Sequence, residues 1–175
     1  IDAGYLSERA RLSSPDRSIP HVTAGHPPGA RPMPAVADGE VPSTSHMVAA
    51  DGEGNVANVT STIEGAFGSG LTSNGYFLNN ELTDFSFAPS RGGAPVANRV
   101  EGGKRPRSSM SPTIVMKDGK PLLAIGSPGG SQIIGYVAQA LIAYIDWQMP
   151  VEEIVAMPHL NNRFGTYDLE AGTTA

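Results

Sequence analysis

The chain has 175 residues, enough for one domain with a sizeable core, and a formal net charge of −5 with no block of like charges, which argues against a nucleic-acid or anionic-membrane partner. It contains no cysteine, so disulfide frameworks, thiolate metal sites and cysteine nucleophiles are excluded. No stretch approaches the roughly 20 apolar residues that a membrane-spanning helix needs. The compartment stays open on composition alone. The chain opens on Ile1-Asp2 without a signal-peptide pattern and reads as a processed piece or fragment.

Residues 1 to 43 stand apart. They hold Pro15, Pro20, Pro27, Pro28, Pro32, Pro34 and Pro42, scattered charges and no sustained periodicity, and read as an extended arm, lying on another surface or disordered, with a short helical turn around Tyr5 to Arg11. From Ser45 the pattern changes. His46 to Ala50 suits a strand, Asp51-Gly52-Glu53-Gly54-Asn55 is a turn signal, and Asn55 to Thr62 reads as the return strand of a hairpin. Phe67 to Leu71 is a glycine-loosened loop, and Tyr76-Phe77-Leu78 is a short apolar run. Residues 86 to 107 are poor in apolar residues, and a connection that long is a functional loop or disordered.

Two strands follow, Thr113 to Lys117 and Leu122 to Ile125, joined by Asp118-Gly119-Lys120. Ser131 to Trp147 carries apolar residues at helical spacing over a broad face, which predicts a mostly buried helix capped by Ser131. Pro150 opens a second short helix at its first turn, favoured by Glu152 and Glu153. The tail from Asn161 is polar and weak in pattern.

Four motifs resemble the small-subunit half of gamma-glutamyltranspeptidases, which are N-terminal-nucleophile hydrolases. They are Thr44-Ser45-His46 followed by Asp-Gly-x-Gly-Asn; Leu78-Asn79-Asn80-Glu81-Leu82-Thr83-Asp84-Phe85; Lys104-Arg105-Pro106-Arg107-Ser108-Ser109-Met110-Ser111-Pro112-Thr113; and Gly126-Ser127-Pro128-Gly129-Gly130-Ser131. They occur in family order and cover about Pro42 to Arg163. The resemblance implies an α+β fold, part of an αββα sandwich of the N-terminal-nucleophile type. It divides the chain into residues 1–43, the end of the large-subunit region, and residues 44–175, an incomplete small-subunit catalytic region.

A Thr hydroxyl becomes nucleophilic when a base takes its proton, and an N-terminal Thr has its own α-amine for this. That amine exists only once the Ser43-Thr44 bond is cut, which the resemblance implies is autocatalytic, with Thr44 as the nucleophile. Hairpin pairing can put Thr62 beside Thr44, where the resemblance implies a positioning hydrogen bond. Gly129 and Gly130 are the implied oxyanion-hole donors, since successive amides at a helix start are unpaired within the helix. Glu64, Glu81 and Asp84 are implied to receive a substrate ammonium, and Ser108 and Ser109 its α-carboxylate; Glu64 and Glu81 replace the Asn and Gln of many members.

Residues 86 to 103 correspond to a lid, shorter here and expected to carry no aromatic gate, so an open site admitting bulky acyl donors is expected. Gln132 stands where Arg is usual, which removes one structural salt bridge. His46 reads as a structural strand residue, and His21, His26 and His159 lack metal-ligand spacing. No metal or organic cofactor is expected. The implied reaction is γ-glutamyl transfer or hydrolysis on glutathione or a related γ-glutamyl amide, with water, an amino acid or a peptide as acceptor and the large-subunit half of the same precursor as partner. The implied compartment is periplasmic or secreted. The alternatives are a cephalosporin (glutaryl) acylase of the same architecture, or a non-catalytic, unprocessed piece.

Overall fold

The computed structural model describes residues 2–14, 16, 23, 25–29, 44–163 and 166–171. Most of the arm, including Pro42, Ser43 and His21, lies outside them. Within the arm, helix α1 spans Ala3–Ala10, close to the expected turn, and the Asp2 carboxylate caps it by accepting the Tyr5 N–H at 2.7 Å. The Arg9 guanidinium ties it to the Thr23 carbonyl at 3.0 Å.

The expected hairpin forms. Strand β1 (Thr44–Ala50) pairs antiparallel with β2 (Val56–Thr62) in a register running from Thr44↔Thr62 to Ala50↔Val56. Asp51 makes the turn: its carboxylate accepts the N–H groups of Glu53 and Asn55, each at 2.9 Å, and the Asn55 amide at 2.7 Å. Those bonds, the Asn55 side chain first, hold the Asp51 carboxyl below its ordinary value. Two-residue alternation then sets the faces: Thr44 and His46 on β1, and Asn58, Thr60 and Thr62 on β2, are half-buried, while Ser45, Met47, Val59 and Ser61 are exposed.

Short hairpins follow, β3 (Thr72–Ser73) with β4 (Tyr76–Phe77) and β5 (Ser90–Arg91) with β6 (Ala94–Pro95), on either side of a 3₁₀ turn over Glu81–Asp84. Strand β7 (Thr113–Lys117) pairs with β8 (Lys120–Ile125), which starts two residues before the expected Leu122. The Asn58 amide joins the two main hairpins, donating to the carbonyls of Thr113 at 2.8 Å and Ile125 at 3.1 Å. Asn58→Ala should therefore lower stability by about 2 kcal/mol, the cost of leaving part-buried carbonyls without a donor, and denaturant melts measure this.

Helix α2 covers Ile133–Ile145, preceded by a 3₁₀ turn over Gly130–Gln132. Ser131 is not its cap: it lies inside that turn, and Gln132 holds the cap position without a side-chain cap bond. The expectation of a mostly buried helix also fails in part. Ile133, Val137 and Ala143 are buried, yet Ile134 and Ile145 are 58% and 56% exposed, so these residues leave one apolar side of α2 uncovered. Helix α3 (Val151–Ala156) follows with Pro150 as its cap, one position before the expected first turn, and buries Ile154.

The tail is a hairpin, against expectation: β9 (Leu160–Arg163) pairs with β10 (Thr166–Leu169). The Gln139 side chain on α2 anchors it, donating to the Pro158 carbonyl at 3.0 Å and accepting from Leu160 N–H at 3.3 Å. A second small core lies under the long loop, where Phe85 and Val96 are buried. That loop is thus folded on its own residues. The described part is mixed helix and strand, as an α+β chain requires.

Candidate active site

The open end of the β1–β2 hairpin puts Thr44 opposite Thr62, their hydroxyl oxygens 3.3 Å apart. The register brings this about, because the strands pair at seven positions and the two threonines form the pair farthest from the Asp51 turn. Thr62 Oγ1 also accepts the Glu64 N–H at 2.9 Å, which orients the hydroxyl facing Thr44. Glu64 itself has φ +71, a backbone region that non-glycine residues occupy at a cost.

Asn80, a residue that sequence reasoning did not single out, holds Glu64 there. Its amide NH₂ donates to the Glu64 carboxylate and to Thr83 Oγ1, and its carbonyl accepts the Gly65 N–H at 2.9 Å. The Asn80 N–H also reaches the Ile63 carbonyl at 3.2 Å. Two segments 16 residues apart are thereby stitched together, so that the Glu81–Asp84 turn lies against the end of β2.

All three expected acids meet. Burial, then the negative charges of Asp84 and Glu64, push the Glu81 carboxyl above its ordinary value of 4.5. A carboxyl raised in the folded state contributes stability that is complete below the unfolded value and is lost as pH rises through the folded one. Glu81→Gln should therefore raise the Tm of the substrate-free protein at neutral pH, and the gain should vanish in acid below the ordinary carboxylate range. A gain of equal size in both conditions would show that charge is not its source. In the wild type, an ammonium-bearing ligand should bind more weakly as pH falls through the raised value.

The turn into α2 comes up against β1 at Gly126. The His46 ring lies where a Cβ on Gly126 would be, and His46 Nδ1 is 2.8 Å from Thr60 Oγ1. His46 is thus packed as a structural strand residue. Three residues on, Gly129 and Gly130 have φ +132 and +56, the backbone freedom that only glycine supplies cheaply. A Cβ on Gly129 would lie 2.9 Å from the Tyr136 ring. Gln132 accepts from the Tyr136 hydroxyl, and the Tyr136 ring stacks on His159 at a centroid distance of 4.0 Å.

Ser108 is exposed and its Oγ accepts the Met110 N–H at 3.3 Å; Ser109 is half-buried. A second residue missed in the sequence, Asn98, reaches both this loop and the acid turn. The expectation that residues 86 to 103 lack an aromatic is wrong, because Phe87 stands there and is 82% exposed. Among the described residues, no group of three or more His, Asp or Glu is placed to hold a metal, and no helix is long and apolar enough to cross a membrane.

The gamma-glutamyltranspeptidase family model matches residues 1–175. The chain is 39% identical to the glutathione hydrolase proenzyme of Bacillus subtilis strain 168 over 96% of its own length and 30% of the relative's. It is 32% identical to the acylase ACY 1 proenzyme of Pseudomonas sp. strain SE83 over 97% of its length and 28% of that protein's. Among solved structures, a mutant of the Helicobacter pylori gamma-glutamyltranspeptidase superposes with a TM-score of 0.60 and 43% identity over 68% of each chain. The transpeptidase enzyme CapD of Bacillus anthracis does so with a TM-score of 0.57 and 30% identity, covering 75% of this chain and 68% of the other. The chain spans about 30% of the length of the curated relatives of the Bacillus type. Its match to the family model along its whole length, with four motifs in family order, makes it a member of the gamma-glutamyltranspeptidase family.

Proposed function

We propose that this chain is the catalytic part of a γ-glutamyl transferase and glutathione hydrolase whose nucleophile is Thr44. Residues 1–43 are then the end of the large-subunit region, residues 44–175 the small-subunit region, and the remaining large-subunit half of the same precursor completes the pocket. The fold is read as one side of an αββα sandwich, supported by the likeness to solved family members. The whole protein is read as exported, periplasmic or secreted, on the family resemblance.

In this reading Thr44 acts twice. Its hydroxyl first attacks the Ser43 carbonyl; the C–N bond breaks, the α-amine is released, and water hydrolyses the resulting ester. The freed amine then takes the Thr44 Oγ1 proton as that oxygen attacks a γ-glutamyl amide. The amides of Gly129 and Gly130 stabilise the oxyanion, which is electrostatic help at the point where charge develops. The amine product leaves with the proton held by the α-ammonium, and a γ-glutamyl ester remains for water or an amino acid or peptide amine to take. Thr62, fixed by the Glu64 N–H, orients Thr44. Glu64, Glu81 and Asp84 receive the substrate ammonium, and Ser108 and Ser109 its α-carboxylate.

The observation that carries the reading is the Thr44–Thr62 hydroxyl pair, 3.3 Å apart, joined through Glu64 and Asn80 to the acid turn. The test is intact mass and N-terminal sequencing of the full-length precursor, followed by assay on γ-glutamyl-p-nitroanilide. A new terminus reading Thr-Ser-His-Met with turnover is expected; a precursor that stays whole and inert supports the non-catalytic reading. The glutaryl acylase reading is favoured by the Pseudomonas acylase likeness. Glutaryl lacks the α-amine, so the three converging carboxylates oppose it, and preference for a glutaryl over a γ-glutamyl anilide would reverse the choice.

A further inference from the structure

We propose that Asn98 is the positioning residue that sets the span between the acids and the serine loop, an inference that rests on the substrate reading above. Its side chain uses both ends. The amide donates to the Asp84 carbonyl at 2.5 Å, and the side-chain oxygen accepts the Arg107 N–H at 3.2 Å. Asp84 closes the acid turn, and Arg107 directly precedes Ser108 and Ser109. One planar amide therefore fixes the separation of the two loops that read opposite ends of the same α-amino acid group.

The bridge is built on a fixed base. The Asn98 carbonyl accepts the Ser86 N–H at 2.8 Å, Lys104 Nζ reaches the Ala97 carbonyl at 3.0 Å, and the Arg99 guanidinium reaches the Val96 carbonyl at 3.1 Å. Arg99 and Lys104 both pair with Glu101, at 2.6 and 3.0 Å. Phe85 and Val96 are buried beneath the loop. The backbone on both sides of Asn98 is held, so its reach is set by the loop fold. An ammonium and a carboxylate on one carbon are a rigid pair, and a site that binds both tightly needs its two halves at one separation.

The test uses the full-length, processed enzyme with Asn98→Ala and Asn98→Asp. Asp keeps the acceptor for Arg107 and loses the donor to Asp84. For γ-glutamyl-p-nitroanilide, KM should rise roughly tenfold in both variants with kcat within about threefold of wild type, because the bridge acts on binding and not on Thr44. For glutaryl-p-nitroanilide, which carries the carboxylate without the ammonium, KM should change by less than about twofold, since a one-point contact needs no fixed span. Equal effects on both substrates, or a fall in kcat that tracks a loss of melting temperature, would mean Asn98 is merely structural. Unchanged KM in Asn98→Asp overturns the proposal even where Asn98→Ala fails to fold. Asp84→Asn in the same assay separates the two claims. A raised KM there with normal Asn98 variants sinks only the bridge; an unchanged KM there sinks the reading of the acids and the bridge with it.

Discussion

Thr44→Ala in the full-length precursor should abolish both the cut before residue 44 and all γ-glutamyl turnover. In the proposed mechanism two independent steps depend on the one oxygen: attack on the Ser43 carbonyl, and attack on the substrate amide. On that reading Gly129, Gly130 and the acids bind and polarise the substrate but have no atom to form the ester. A loss of at least about 10³-fold in kcat is the scale seen when a nucleophile is removed from such a constellation. The fold should survive, because Thr44 is a half-buried end residue of β1 and its hydroxyl makes a long 3.3 Å contact. Gel analysis and intact mass report the cut, and γ-glutamyl-p-nitroanilide the turnover. Continued cleavage before residue 44 in the variant would mean that a separate protease does the cutting. Thr62→Ala should act more weakly, because it removes orientation and leaves the nucleophile.

Gly129→Ala should cost about 10²- to 10³-fold in kcat with a much smaller effect on KM, which is what losing one preorganised oxyanion donor does. The reason is steric. The new Cβ would sit 2.9 Å from Tyr136 Cε2, and the φ of +132 is one that an L side chain rarely adopts. The turn must shift, and its amides move off the oxyanion position proposed for them. Adding Tyr136→Ala removes the ring but leaves the φ requirement, so the double variant should regain activity only in part. Full activity in Gly129→Ala would mean that these amides are not the oxyanion donors. A melting curve beside the kinetics shows whether the turn or the whole fold has given way.

The local elements follow from patterns that are legible in the amino-acid sequence. The turn signal over Asp51–Asn55, between strand-like runs, marked the β1–β2 hairpin and, through its register, the Thr44–Thr62 pair. The apolar spacing gave α2, and the spacing of Glu81 and Asp84 put two acids on one turn. These signals are short-range: a turn residue and a period of two or of about 3.6 act within a few residues of themselves. Other features depend on contacts between distant segments. Asn80 and Asn98 look like ordinary loop amides until Glu64 and Thr83 surround the first, and Asp84 and Arg107 the second. The polar run Leu160-Asn161-Asn162-Arg163 carries no alternation, and becomes a strand where Gln139 pins the chain beside it. Burial of α2 was overestimated for the converse reason: hydrophobic spacing states what a face can bury, whereas Ile134 and Ile145 stay exposed unless some other surface comes to meet them.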